Sequence, residues 1–251
     1  MRRFEGQVAV VTGASRGIGL SIAERLVSEG AQVVITARDE GALREAAVSL
    51  GAPEAVHHVA GRADDPEHRA AVLDLVDREL GRLDLLVNNA GVNPAYGPAL
   101  EIDSAVVRKI LDVNVVSALE WSRDAVAHGL ADGDGGAIVN IASIAGLTAS
   151  PGIAFYGVSK AALISLTTQL AFELAPRVRV NAVAPAVVKT DFARALYAGR
   201  EEQVAASYPL ARLGTPTDVS GPVAFLLSRD AGWITGQTIV IDGGGSISPV
   251  S

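Results

Sequence analysis

The chain of 251 residues is 49% hydrophobic and 20% charged, has a formal net charge of −7 and contains no cysteine. This composition excludes a disordered chain, a disulfide framework and a thiolate zinc site, and its acidity argues against nucleic acid or an anionic membrane as the main partner. The N-terminal "MRRFEGQVAV" lacks the apolar run of a signal peptide or membrane span, so we expect a cytoplasmic protein without a metal site.

Short β-branched apolar segments alternate with helical patterns along the chain. Strands are predicted at 8–13, 32–37, 55–61, 83–91, 136–143, 177–185 and 237–245. Helical patterns are predicted at 18–30, 39–51, 66–81, 105–130 (one helix or two) and 159–174, with a polar helical region after 185. Nearly continuous apolar strands separated by helices predict an α/β fold. We expect a single domain over 1–251, a doubly wound, Rossmann-type parallel sheet of seven strands with helices on both faces.

A glycine-rich loop, "VTGASRGIG", joins the first strand to the first helix. Gly13, Gly17 and Gly19 allow the backbone to approach a ligand closely, and the helix N-terminus offers unpaired N–H groups and a partial positive charge. Both features suit a pyrophosphate. A tight turn that only needs small residues is the alternative.

Four motifs in this order resemble the short-chain dehydrogenase/reductase family: "TGASRGIG" (12–19), "NNAG" (88–91), a serine after the fifth strand, and Tyr-x-x-x-Lys at Tyr156 and Lys160. The resemblance covers essentially the whole chain and implies hydride transfer between a nicotinamide cofactor and a carbonyl or alcohol. "NAGVNPAYGP" and "ASPGIAFYGVSK" are also similar to the branch of peroxisomal NADP-dependent carbonyl/retinal reductases, whose close cousins reduce 3-oxoacyl thioesters.

The residues at the end of the second strand predict NADP(H) as the cofactor. Ala37 stands where an NAD-specific family member carries a carboxylate, and Arg38 follows it. Arg38 can donate to a 2′-phosphate, and Arg16 adds a second positive charge. The alternative is that both arginines are solvated and that Asp39 neutralises Arg38.

The aspartate with which the family binds the adenine amino group is missing from its aligned position, which Arg62 occupies. Three alternatives stay open: Asp64 replaces it, Asp65 replaces it, or the adenine is held by backbone and stacking alone.

Tyr156 and Lys160 are four residues apart and share one face of the predicted helix. A phenol titrates near pH 10, and a cation within roughly 4–6 Å favours the phenolate. We therefore expect Lys160 to lower the pKa of Tyr156 and make it a better proton donor. The family resemblance adds a hydrogen bond from Lys160 to the nicotinamide ribose. A surface Tyr–Lys contact is the alternative.

Ser143 and Asn114 complete the predicted catalytic set. Ser143 follows the fifth strand, 13 residues before Tyr156, and its hydroxyl could polarise a substrate carbonyl, although such a serine often caps a turn. Asn114 lies in an apolar helix, and the resemblance implies that it holds a water that passes protons to Lys160. An ordinary core asparagine is the alternative.

The loop after the sixth strand, "APAVVKTDF", resembles the family's nicotinamide-binding loop, except that Ala186 replaces a glycine. The loop must therefore avoid a positive φ at Ala186 or accept strain. The complete predicted cofactor set is Gly13, Ser15, Arg16, Gly17, Ile18, Gly19, Arg38, Asn89, Ala90, Gly91, Tyr156, Lys160, Pro185, Val188 and Thr190.

Residues 191–214 are predicted to form a helical lid over the site. Its apolar residues suggest an apolar substrate, although spacing of this kind often reflects packing alone. The residues concerned are Phe155, Phe192, Leu196, Tyr197, Tyr208 and Leu210.

The acidic chain shows no evident basic patch for an acyl carrier protein, so we favour small carbonyl compounds as substrates. A 3-oxoacyl-thioester reductase and a non-catalytic NADP(H)-binding sensor are the alternatives. By family resemblance we expect a homo-oligomer, a tetramer more than a dimer, with 157–174 and 233–245 available for interfaces.

Overall fold

The computed structural model describes residues 2–130, 132 and 135–247. Its strands are β1 (Val8–Thr12), β2 (Gln32–Ala37), β3 (Val56–Ala60), β4 (Leu85–Asn88), β5 (Gly136–Ile141), β6 (Val178–Pro185) and β7 (Thr238–Ile241). All pair in parallel, in the order β3-β2-β1-β4-β5-β6-β7. Over the described residues this confirms the predicted fold class, a seven-stranded parallel sheet with helices on both faces.

The helices are α1 (Gly17–Ser28), α2 (Glu40–Ser49), α3 (Pro66–Leu75), α4 (Ser104–Leu111), α5 (Ser117–Ala125), α6 (Ala154–Leu174), α7 (Arg194–Tyr197), α8 (Glu201–Ala206) and α9 (Pro216–Leu227). Aspartate side chains accept backbone N–H groups at the starts of α2, α3 and α4. Throughout the described residues, no helix is both long enough and apolar enough to cross a bilayer.

Two apolar cores lie on opposite faces of the sheet because successive strand residues point to opposite sides. On β1, Val11 packs into the core beneath α1, α2 and α9, whereas Val10 packs into the core beneath α3, α5 and α6. Both side chains are fully buried. Burial on both faces explains why the strand segments are nearly continuously apolar in the sequence.

Buried side-chain amides tie the centre of the sheet to α6. Asn88 of β4 donates to Asn140 of β5 at 2.9 Å, and Asn140 donates to Thr167 of α6 at 2.8 Å. All three residues are buried. This chain of hydrogen bonds fixes the height of α6, the helix that carries Tyr156, relative to the strand ends.

Several element boundaries differ from the sequence prediction: the predicted strands 136–143 and 237–245 end at Ile141 and Ile241, and the helix predicted from 159 begins at Ala154. The predicted strand 83–91 ends at Asn88, because the following residues leave the sheet to pack on the glycine loop. The polar region predicted after 185 contains α9, which belongs to the core: Val219 and Val223 are fully buried beside α1. The helix predicted at 105–130 is α4 and α5 joined by a wider turn, in which the Ser117 N–H donates to the Asp112 carbonyl, five residues earlier.

Candidate active site

A crevice of about 1340 Å³ opens at the carboxyl ends of the strands. This is where a doubly wound sheet binds its ligands, beside β1 and β4, from which the strand order runs outward in both directions. The crevice is lined by every residue of the predicted cofactor set and by Ser143, whereas Asn114 lies behind the lining.

The glycine loop packs tightly against the segment that follows β4. Gly13 and Gly17 have φ values of 65° and 59°, which favour glycine. A Cβ atom at Gly19 would lie 2.5 Å from Nδ2 of Asn89, which donates to the carbonyl oxygens of Thr12 and Gly13. The glycine loop therefore packs without free space against Asn89, while its opposite side is open to the crevice.

Thr12 is a positioning residue that the sequence analysis did not single out. Its buried Oγ1 accepts the backbone N–H groups of both Asn89 and Ala90 at 3.0 Å. The residue stands inside the quoted "TGASRGIG" motif, so its place in the motif was the available signal.

The start of α1 suits an anionic group. Arg16 precedes the helix in extended conformation, no side chain caps the first N–H groups, and the first turn holds no acidic residue. These N–H groups, with the glycine loop, can hold a pyrophosphate. Arg16 itself pairs with Asp191 at 3.7 Å, and both side chains are exposed.

Arg38 lines the crevice at the end of β2 and is exposed. Asp39, expected in one alternative to neutralise it, instead accepts the Ala42 N–H at 2.9 Å and caps α2. Within the described residues Arg38 makes no ion pair, so its guanidinium is free to bind an anion.

The region aligned with the family's adenine-binding aspartate holds an ion cluster. Arg62 donates to both carboxylate oxygens of Asp64, at 3.2 and 2.9 Å, and Lys109 of α4 donates to Asp64 at 2.5 Å. Burial acts to raise the pKa of Asp64, but these hydrogen bonds outweigh it and lower the pKa to about 2. Asp65 lies outside the crevice lining and caps α3 through the Glu67 N–H.

Tyr156 and Lys160 both lie on α6 and line the crevice, as their spacing predicted. The Lys160 side chain is buried, with Nζ 5.5 Å from the centroid of the Tyr156 ring. Nζ donates to the Ile141 carbonyl at 2.7 Å. The predicted proximity of the pair is therefore present.

The predicted lowering of the Tyr156 pKa is wrong. Burial disfavours the phenolate and raises the pKa of Tyr156 to about 12, with the Ser143 side chain acting in the opposite direction. Burial also lowers the pKa of Lys160 to about 8. The prediction counted the attraction of the cation and left out the loss of water around both groups.

Ser143 follows β5 and lines the crevice. Its Oγ accepts the Ala145 N–H at 3.2 Å and donates weakly to the Pro185 carbonyl at 3.4 Å. Ser143 is thus a turn cap, as the alternative held, and also faces the site. The two long hydrogen bonds leave its hydroxyl able to turn toward a ligand.

Asn114 is buried in the wide turn between α4 and α5. Its Oδ1 accepts the Val92 N–H at 2.8 Å, and its Nδ2 donates to the Val92 carbonyl and to Ser159 Oγ. Both amide donors are therefore used to hold the segment after "NNAG" beside α6. The Asn114 side chain therefore links the backbone at Val92 to Ser159 of α6 through hydrogen bonds.

The loop after β6 avoids the conformation that would strain Ala186. Among the described residues, Ala211 is the one non-glycine residue with a positive φ. Pro185, Val188 and Thr190 line the crevice, as the family pattern implied. The first of the two alternatives given for Ala186 is therefore confirmed.

The lid region is helical in part, as α7 and α8, and only two of its predicted apolar contacts reach the crevice. Phe192 and Leu196 line it, and the Phe192 ring lies 5.9 Å from that of Tyr156. The four other residues that suggested an apolar substrate do not line the crevice: Phe155, Tyr197, Tyr208 and Leu210.

The two misassigned lid tyrosines support the nicotinamide loop instead. The Tyr197 hydroxyl donates to the Thr190 carbonyl at 3.2 Å, and the Tyr208 hydroxyl accepts the Val187 N–H at 3.4 Å. Conversely, Tyr96, Asn93 and other polar residues line the crevice without having been predicted. Tyr96 belongs to "NAGVNPAYGP", which had served only for the family resemblance.

Comparisons with known proteins agree with this geometry. The family model described as "Enoyl-(Acyl carrier protein) reductase" matches residues 13–246. A "Dehydrogenase/reductase SDR family member 4" of Caenorhabditis elegans is 41% identical, over 97% of this chain and 96% of the relative. The "Tropinone reductase-like 3" of Erythroxylum coca is 41% identical, over 97% and 94%.

A solved structure has the same fold along almost its whole length. It is a short-chain dehydrogenase/reductase from Brucella melitensis, titled as a glucose/ribitol dehydrogenase. The TM-score is 0.92 at 33% identity, and the match covers 99% of both chains. The human "Dehydrogenase/reductase SDR family member 4" is 40% identical, over 95% of this chain and 87% of the relative.

Proposed function

The chain belongs to the short-chain dehydrogenase/reductase family, and from this premise we propose that it is an NADP(H)-dependent enzyme that interconverts a ketone or aldehyde and the corresponding alcohol. The family consists of oxidoreductases that use NAD(P)(H) and act on small molecules. The observation that carries the proposal is the convergence of Ser143, Tyr156 and Lys160 on the same crevice as the glycine loop.

The residues present suit a nicotinamide dinucleotide. The glycine loop and the open start of α1 face the crevice, and Arg38 stands free at the end of β2. No carboxylate occupies the position of Ala37, so a 2′-phosphate would meet the cation of Arg38, while the nearby Asp39 carboxylate is held by the Ala42 N–H. These features support NADP(H) over NAD(H).

When bound, NADP(H) would supply the chemistry of hydride transfer to or from the substrate carbon. In the reductive direction Tyr156 gives its hydroxyl proton to the carbonyl oxygen, and it holds that proton at neutral pH because its pKa is about 12. The Ser143 hydroxyl donates a hydrogen bond to the same oxygen. Lys160, the buried cation beside the ring, stabilises the phenolate left by proton transfer. Asn114, behind the crevice lining, holds the backbone at Val92 and the Ser159 side chain in place through hydrogen bonds.

Phe192 and Leu196 support an apolar carbonyl substrate, because they form the lid side of the crevice next to Tyr156. The second candidate is a 3-oxoacyl-thioester reductase: the description of the matching family model names an acyl carrier protein, although the enoyl reduction it names acts on a carbon–carbon double bond. We also propose that the protein forms a homo-oligomer. Phe172 of α6 and Trp233 before β7 are almost wholly exposed, and they lie in the two segments expected at interfaces.

The deciding experiment mixes the purified protein with NADPH or NADH and a panel of ketones, aldehydes and 3-oxoacyl thioesters, and follows oxidation of the reduced nicotinamide by absorbance. We expect turnover with apolar carbonyl compounds and with NADPH in preference to NADH. Turnover confined to thioesters would favour the second candidate. Binding of NADPH without turnover on any substrate would favour a sensor and contradict the enzyme.

A further inference from the structure

The crevice end formed by β2 and β3 is bordered by the charged side chains of Arg62, Asp64 and Lys109. The catalytic residues lie across the strand-order switch, on β5 and α6. A dinucleotide in a doubly wound sheet extends across that switch. If the nicotinamide bound at Tyr156, the adenosine half would face the crevice end that Arg38 and Arg62 line.

Every aspartate of the crevice lining already has a partner. Asp39 accepts the Ala42 N–H, Asp191 pairs with Arg16, and Asp64 is held by Arg62 and Lys109. The lining contains no glutamate among the described residues. Asp64, the carboxylate beside Arg62, therefore already faces two cations, which makes it a weaker acceptor for an adenine amino group.

The Arg62 guanidinium differs from the family's aspartate in how it can contact the adenine base. A guanidinium has only donors and a flat cationic face, while the adenine amino group is also a donor. Arg62 therefore cannot bind the amino group, but it can donate to a ring nitrogen or stack on the ring. Its side chain is 57% exposed, and Asp64 fixes the guanidinium through two hydrogen bonds.

We propose that Arg62 makes the base subsite indifferent to the amino group of adenine. The base is held through its face or through N3 or N7, the ring nitrogens that remain acceptors in hypoxanthine, so the crevice accepts the deamino cofactor as readily as the normal one. This inference rests on the proposed function, because it takes NADP(H) to be the ligand.

The test measures dissociation constants by nicotinamide fluorescence, without turnover, for NADPH and for its hypoxanthine analogue, deamino-NADPH. For the unaltered protein we expect the two constants to agree within about threefold, since no protein group is left unpaired by the exchange. Arg62→Asp introduces a free acceptor and should create a preference for NADPH of roughly tenfold or more. Arg62→Asn introduces an acceptor without placing a second negative charge beside Asp64.

Arg44→Asp is the matched control, because Arg44 also pairs with a carboxylate, that of Glu40, but lies outside the crevice lining. It should leave the ratio of the two constants unchanged. A preference of the unaltered protein for NADPH of about tenfold would overturn the inference. So would an Arg62→Ala variant that weakens NADPH but not NADH, since Arg62 would then bind the 2′-phosphate. Failure to bind either NADPH or NADH would refute the proposed function itself.

Discussion

The ammonium of Lys160 lies 5.5 Å from the centroid of the Tyr156 ring but donates its hydrogen bond to the carbonyl of Ile141, at 2.7 Å. The cation is therefore anchored to the end of β5 and not to the phenol. Burial favours the neutral form of both side chains, with the pKa of Tyr156 raised to about 12 and that of Lys160 lowered to about 8. A ligand that gives Lys160 new polar contacts would raise the pKa of Lys160 and so favour its charged form.

The buried Lys160 predicts that the free energy of unfolding increases as the pH rises above 8. Between pH 8 and 10.5 the unfolded chain keeps the Lys160 proton that the folded protein has lost, so the free energy of unfolding rises with pH. Between pH 7 and 10 the gain from Lys160 should be roughly 2–3 kcal/mol. Urea unfolding of the unaltered protein and of Lys160→Met at both pH values isolates this contribution.

The measurement stops at pH 10 because Tyr156 acts in the opposite direction above it. Its pKa is raised from 10 to about 12, so stability contributed by the protonated phenol is lost across that range. Parallel pH dependences for the unaltered protein and Lys160→Met would show that Lys160 keeps an ordinary pKa.

Replacing the proposed proton donor should separate chemistry from binding. Tyr156→Phe should lower kcat by about 10²–10⁴-fold, the usual contribution of a positioned acid, with little change in the dissociation constant of NADPH. Tyr197→Phe is the matched control: Tyr197 lies outside the crevice lining, and loss of its hydroxyl, which donates to the Thr190 backbone carbonyl, should cost far less. Full activity of Tyr156→Phe would assign proton transfer to another group.

Arg38 should discriminate between the two nicotinamide cofactors. Arg38→Ala should weaken NADPH binding by roughly 10–100-fold, through the loss of charge-assisted hydrogen bonds to the 2′-phosphate, while NADH binding changes little. Arg44→Ala, on α2 and outside the crevice lining, is the control and should affect neither. Equal weakening of both cofactors by Arg38→Ala would refute the phosphate contact.

The strands and the glycine loop were predictable because their signals are local. A strand buried on both faces must be apolar throughout, and Gly13 and Gly17 occupy turns that require positive φ. The spacing of Tyr156 and Lys160 fixed their common helix face in the same way. The pKa values of Tyr156 and Lys160 could not be predicted from the sequence, because desolvation depends on which residues pack around α6.

Features that depend on distant segments were missed. Lys109 reaches Asp64 from α4, 45 positions along the chain, so the spacing around Arg62 could not show that Asp64 has two partners. The core helix α9, whose Val219 and Val223 are buried beside α1, was assigned to a polar region although its last five residues, 223–227, are all apolar. The lid residue Leu210 is apolar but lines a separate small pocket with Gly243.

The contact between the glycine loop and Asn89 predicts a strict need for glycine at position 19. Gly19→Ala places a Cβ atom 2.5 Å from Asn89 Nδ2 and from the Gly13 carbonyl, and should destabilise the protein by about 1–3 kcal/mol. Gly221→Ala in α9 is the control: its Cβ meets nothing within 4 Å, and it should stabilise by about 0.5–1 kcal/mol. Unfolding curves of both variants test this, and equal stabilities would contradict the packing.

The contact between Phe192 and Tyr156 predicts that Phe192, in the lid, contacts the apolar part of the substrate. The rings lie 5.9 Å apart, and Phe192 keeps 49% of its surface exposed, which a bound substrate can cover. Phe192→Ala should lower kcat/KM for bulky apolar ketones by about tenfold, because burial of one aromatic side chain contributes roughly 1.5–3 kcal/mol when complete. Activity on a very small ketone should change much less, since it cannot reach the lid.

Leu210→Ala is the control for this prediction, because Leu210 belongs to the same lid region, is 65% exposed and lies outside the crevice lining. It should leave the ratio of the two kcat/KM values unchanged. A uniform loss for large and small ketones in Phe192→Ala would mean that Phe192 positions Tyr156 and does not contact the substrate. A loss of size preference in Leu210→Ala would instead require the lid to close further than it does here, bringing Leu210 over the substrate.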